Sequence, residues 1–123
     1  MYNNQEQGKR GEDIAAWYLE KNGYPFVKKH FTDRFGEIDL VVMDKDQLVF
    51  VEVKYRMGEN CGLPEESVTR WKKKKIKQAI LSYLSKYPTE NFRIDVIAIT
   101  EKNLQRTVNI RHHKAAFDIY SVW

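Results

Sequence analysis

Residues 36–55 read GEIDLVVMDKDQLVFVEVKY. Two runs rich in Val, Ile, Leu and Phe, 36–43 and 48–55, flank the polar tetrapeptide Asp44-Lys45-Asp46-Gln47. Apolar runs of this length around such a turn predict a β-hairpin. Symmetric closure pairs Met43 with Leu48, and that register sets Asp39 opposite Glu52 and Glu37 opposite Lys54. Because side chains alternate along a strand, these four share one face. Leu48 and Phe50 lie on that face too, while Val49, Val51 and Val53 line the other. A strand apolar on both faces is covered on both. Glu52 and Lys54 are then partly desolvated, which costs roughly several kcal/mol for each unpaired charge. Facing like charges on neighbouring strands add repulsion of roughly 0.2–1 kcal/mol. A divalent cation would neutralise the Asp39–Glu52 pair, and Lys54 would do so in part. The plainer alternative is a salt-bridged strand pair, with Glu37 matched to Lys54 and Asp39 in water.

The 123 residues suit one domain, 1–123, with 1–7 frayed. Hydrophobic and charged fractions of 42% and 31% fit a water-soluble fold. No apolar run is long enough to span a bilayer and no signal peptide is evident, so neither a membrane partner nor secretion is expected. The single cysteine, Cys61, excludes an intrachain disulfide and a Cys-rich zinc site, and a reducing cytoplasm is the expected location. A net charge of +4 permits a nucleic-acid partner without requiring one.

Around the hairpin, Ile14, Ala15, Tyr18 and Leu19 recur at helical spacing over 8–22, and Gly23 stops the run. Glu12 falls on or beside the buried stripe, where it either serves a site or favours the helix dipole. Gly8 and Gly11 would let this turn approach another backbone closely. A first strand is expected over 24–31, and a loop over 56–66. A second helix over 68–87 has the stripe Ile76, Ala79, Ile80, Tyr83 and Leu84. Lys72 and Lys73 fall on its core-facing side and call for an anionic partner, either a protein carboxylate or a phosphate backbone. Strands are expected over 92–100 and 104–111, the first parallel to the Lys54 strand because a helix intervenes. Asp95 reads as a buried hydrogen-bonding acid. His112 and His113 point to opposite faces of an extended chain and receive no role. Phe117, Tyr120 and Trp123 are available to pack on the domain or on a partner.

Helix, three-stranded meander, helix and strand, with Asp39 followed by Glu52-x-Lys54, resembles the restriction-endonuclease-like superfamily. The stretches GEDIAAWYL, GEIDLVV, FVEVKYR, SVTRWK and RIDVIAI, in that order, resemble the YraN family of small predicted bacterial endonucleases over about residues 8–100. They are also similar to archaeal Holliday-junction resolvases, in which an acid of the first helix, Glu12 here, joins the Asp and Glu-x-Lys set. Ile38 stands where the superfamily motif has Pro, and His30 where the YraN pattern has Asn.

The resemblance implies an α/β core with a mixed sheet flanked by helices and a Mg²⁺- or Mn²⁺-dependent deoxyribonuclease, acting on branched or junction DNA. Asp39 and Glu52 would hold the metal, with the Val53 carbonyl and, through water, Glu12 as further ligands. Lys54 would orient or deprotonate the attacking water, or compensate charge. Arg56, Lys72 and Lys73 would hold the phosphate backbone. A homodimer follows by analogy with resolvases, which cut two strands. Two rivals stand beside this reading: a nucleic-acid-binding module without catalysis, and a protein-interaction adaptor with structural carboxylates.

Overall fold

The computed structural model describes residues 4–58, 68–102 and 107–120. The elements in chain order are α1 (Asn4–Lys21), β1 (Phe26–Asp33), β2 (Gly36–Asp44), β3 (Gln47–Met57), α2 (Arg70–Lys86), β4 (Phe92–Lys102) and β5 (Thr107–Phe117). One sheet has the order β1-β2-β3-β4-β5. All neighbours are antiparallel except β3 and β4, which run parallel as α2 between them requires. This is the restriction-endonuclease-like arrangement expected.

Each face of the sheet is covered by one helix. Ala15 and Leu19 of α1 pack on Leu40, Val42, Val49, Val51, Ile97 and Ile99. Ile76, Ala79, Ile80 and Tyr83 of α2 pack on Val41, Phe50 and Ile94. Adjacent β3 residues thus feed opposite cores, which explains why its sequence is apolar almost without interruption. Gly11 lets α1 lie close to the sheet: a Cβ there would stand 2.7 Å from Tyr55 Cβ, whereas one at Gly8 would meet nothing within 4 Å. The close approach expected of both glycines belongs to Gly11 alone.

The hairpin closes as read, with Met43 facing Leu48, and the turn shortens to Lys45-Asp46, with Lys45 at φ 58°. Several boundaries differ from expectation: β1 runs Phe26–Asp33 rather than 24–31, and β3 and β4 continue to Met57 and Lys102. Helix α1 begins at Asn4, so 4–7 are helical rather than frayed. Helix α2 begins at Arg70 because Thr69 caps it, its Oγ1 accepting from the Lys72 amide at 3.3 Å. Strand β5 runs on to Phe117 instead of ending at Arg111, with a register shift between Ile94 and Val96 and Ala115 at φ 49°. The tail packs in part: Ile119 is buried and Phe117 contacts the core, while Tyr120 is exposed. Cys61, most of the 56–66 loop, the start of the expected fifth strand (104–106) and Trp123 lie outside the described residues.

Asp95 is buried as the hydrogen-bonding acid expected. It accepts from Arg93 at 2.9 and 3.1 Å and from the Ala115 amide at 3.0 Å, and lies 2.7 Å from His112 Nε2. His112 has a structural role, since its Nδ1 lies 3.0 Å from the Tyr18 hydroxyl and so links β5 to α1.

Candidate metal centre and basic cleft

The β2–β3 ladder ends at Leu40↔Val51. Beyond that pair Asp39 Oδ2 accepts from the Val53 amide at 2.7 Å, so a side chain takes the place of a ladder partner. The sheet is irregular on the other side as well. Lys29 pairs with Leu40 and Phe31 with Ile38, but His30, between them at φ 55°, has no partner in the register. Ile38 joins the α2-side core and Leu40 the α1-side core, so facial alternation breaks at Asp39. Irregularities of this kind re-aim side chains next to functional sites.

That break corrects one expectation. Glu37 does not pair with Lys54; it lies 3.0 Å from His30 Nε2. Lys54 instead pairs with Glu52, Nζ to Oε1 at 3.1 Å, and both side chains are about seven-eighths buried, at 13% and 14% exposure.

Glu52 and Lys54 meet Asp39 at the fork, as the sequence indicates. Burial, with the facing Glu52 charge adding to it, pushes the Asp39 carboxyl well above the usual carboxylate range, against the Val53 amide. Burial also raises Glu52, against the opposing effect of Lys54. Two largely desolvated acids in one another's field resist ionising together unless positive charge is supplied.

Glu12 arrives from α1, and His30 Nδ1 stands 3.0 Å from its Oε1. Hydrogen bonding to Glu12, assisted by Glu37, raises the His30 pKa. One ligand atom each from Glu12, His30 and Asp39 lies within 4.8 Å of the others, a spacing that a single divalent ion could bridge. His30 is the site residue that motif reading did not nominate. The available signal was its departure from the Asn of the family pattern.

Beside the acids is a cleft of about 370 Å³, lined by Gln7, Gly8, Val53, Lys54, Tyr55, Arg56 and Lys72. Contact with Lys54, together with burial, holds Lys72 below the usual lysine range. Cations crowded in this way favour an anionic occupant. Lys73 does not join them. Its Nζ lies 5.5 Å from the centre of the Phe117 ring, and it lines a separate cavity of about 240 Å³ with Val68, Val96, His113, Ala116 and Phe117. One residue along a helix turns a side chain by about 100°, so neighbouring lysines need not share a partner.

The sequence profile of an uncharacterised protein family, UPF0102, matches residues 11–99. A UPF0102 protein of Geotalea uraniireducens is 38% identical over 118 residues, covering 94% of this chain and 92% of its own. One from Clostridium botulinum is 37% identical over 121 residues, covering 96% and 98%. One from Pelotomaculum thermopropionicum is 43% identical over 112 residues, covering 89% and 93%.

Proposed function

This chain belongs to the UPF0102 (YraN) family, and we propose that it is a metal-dependent nuclease hydrolysing DNA phosphodiester bonds, with branched DNA the expected substrate. The observation that carries the reading is the fork, where the partly buried Asp39 and Glu52 meet and burial disfavours their charged forms. Such a pair is costly in a protein that only has to fold, and it suits a divalent cation.

Asp39 and Glu52 would hold a Mg²⁺ or Mn²⁺ ion, with Glu12 and the Val53 carbonyl as further ligands. When bound, such an ion makes water more acidic and stabilises charge on phosphate oxygens. The Val53 amide fixes Asp39 at the strand fork. Lys54, held by Glu52 at 3.1 Å, would orient the attacking water or offset charge building on the phosphate. Arg56 and Lys72, on the cleft wall, would hold the phosphate backbone. Contacts of this type depend on charge more than on base sequence. No helix among the described residues is long and apolar enough to cross a membrane.

The test is cleavage of labelled four-way junction, flap, single-stranded and duplex DNA by wild type, Glu52→Ala and Lys54→Ala, each with Mg²⁺, Mn²⁺ or EDTA. Cutting by wild type that both substitutions and EDTA abolish is the expected result. Salt-sensitive binding without cutting of any substrate would favour a binding module instead.

A further inference from the structure

We propose that His30 is a nitrogen ligand of this metal centre and that it makes the site prefer a first-row transition-metal ion over Mg²⁺. The proposal rests on the metal-centre reading above and concerns which ion is taken.

Three features of His30 carry it. The first is position. The backbone at φ 55° places the ring beside Glu12 and Glu37, while the next residue, Phe31, turns into the α2-side core. Left-handed backbone is uncommon outside glycine, although His and Asn adopt it more readily than most residues. Strain of this kind persists where the surroundings impose it, and it gathers at functional sites.

The second is the orientation of the ring. Nε2 faces the Glu37 carboxylate at 3.0 Å, and Nδ1 faces Glu12 at 3.0 Å. Metal-ligating histidines commonly hand their other ring N–H to a carboxylate, which fixes the ring and raises its basicity. Glu37 stands in that supporting place. Its failure to pair with Lys54 thereby acquires a purpose.

The third is the chemistry of the donor set. Glu12, His30 and Asp39 present one nitrogen and two carboxylates within 4.8 Å of one another. Mg²⁺ binds oxygen donors and keeps much of its water. Imidazole suits the transition metals, and a mixed set of imidazole and carboxylates shifts preference towards them. An Asn at position 30 would offer an oxygen instead and remove that bias.

The experiment uses the full chain with Mn²⁺ as the probe ion. Pulsed electron paramagnetic resonance reads coupling of bound Mn²⁺ to ligand nitrogen, and titration calorimetry gives the affinities for Mn²⁺ and Mg²⁺. The variants are His30→Asn, which tolerates the backbone, and Asp39→Asn. Wild type is expected to show imidazole nitrogen coupling that His30→Asn abolishes. In that variant Mn²⁺ affinity should fall by about tenfold or more, as for loss of supporting ligands elsewhere, with Mg²⁺ affinity changed less. Mn²⁺ binding that Asp39→Asn removes but that shows no nitrogen coupling would overturn this inference and leave the metal-nuclease reading standing. Nitrogen coupling that survives in His30→Asn would also overturn it. Failure of wild type to bind either ion would overturn both.

Discussion

Gly8→Ala and Gly11→Ala are the same chemical change one turn apart in α1, and the structure assigns them opposite signs. Either substitution removes a helical glycine, which is worth up to about 1 kcal/mol in an exposed helix interior. Gly8 is exposed and an added Cβ meets nothing within 4 Å, so Gly8→Ala should stabilise. At Gly11 the added Cβ would fall 2.7 Å from Tyr55 Cβ and 3.2 Å from its Cγ. Tyr55 cannot swing aside, because its Cβ moves with the strand and its hydroxyl donates to Glu101, which Arg10 of α1 also clamps at 2.8 Å. Helix and strand must separate, and overpacking of this kind costs roughly 1–3 kcal/mol. The propensity gain is common to both variants, so their difference isolates the overpacking cost. For a domain of this size about 1 kcal/mol moves the melting temperature by several degrees. Gly11→Ala should therefore melt below Gly8→Ala by roughly 3 °C or more in calorimetry. Equal shifts for the two variants would refute the claimed contact between α1 and β3.

In the metal-free protein Asp39→Asn should raise the melting temperature. The folded-state pKa of Asp39 lies above its ordinary value, so its ionisation opposes folding at neutral pH, and relief of the like-charge pair is worth roughly 0.2–1 kcal/mol. Addition of Mn²⁺ should reverse the ranking by stabilising only the wild type, as thermal shift with and without EDTA will read. Glu101 behaves oppositely, since Arg10 holds its carboxyl below the usual range. Its contribution is fully present above the ordinary glutamate pKa and is lost as pH falls through the lowered folded value. Urea midpoints measured across that acid range should thus decline less steeply in Glu101→Gln than in wild type. Asp95→Ala removes the acid from buried His112 and from one side of Arg93, which keeps Asp44, and the buried groups left unsatisfied should cost roughly 1–3 kcal/mol in urea unfolding. Lys72→Ala should reduce the salt slope of DNA binding by about 1, whereas Lys73→Ala, removing a lysine that rests on Phe117, should leave the slope unchanged.

The fold was legible wherever burial left a period in the sequence. The stripe Ile76, Ala79, Ile80 and Tyr83 is buried in α2, and the two-sided apolar run of β3 lies between two helices as expected. Strand β5 is illegible for the converse reason. It is an edge strand exposed over most of its length, so HHKAAF has no alternation to read, and its extension to Phe117 depends on a register shift that local sequence does not encode. The start of α1 is hidden in the same way, because Gln5 and Glu6 are exposed and helical propensity there has no apolar stripe to reveal it.

At the site the distinction is sharper. Asp39, Glu52 and Lys54 could be placed together because a hairpin register is arithmetic once the turn is recognised. The same arithmetic misplaced Glu37, since it assumes that alternation continues through Asp39. It stops there because the ladder with β3 has ended and the paired strand β1 carries His30 in left-handed backbone. The irregularity that defeats the register is what frees Asp39 from sheet pairing, gives it the Val53 amide, and exposes it to Glu12 and His30. Regular pairing through this point would have kept Glu37 across from Lys54 and left Asp39 directly facing Glu52. The fold instead leaves Asp39 and Glu52 in one another's field, with Lys54 bonded to Glu52, beside a cleft where Lys54, Arg56 and Lys72 crowd their like charges. A metal ion and a phosphate backbone, bound together, would meet both needs at once, so each should bind more tightly when the other is present.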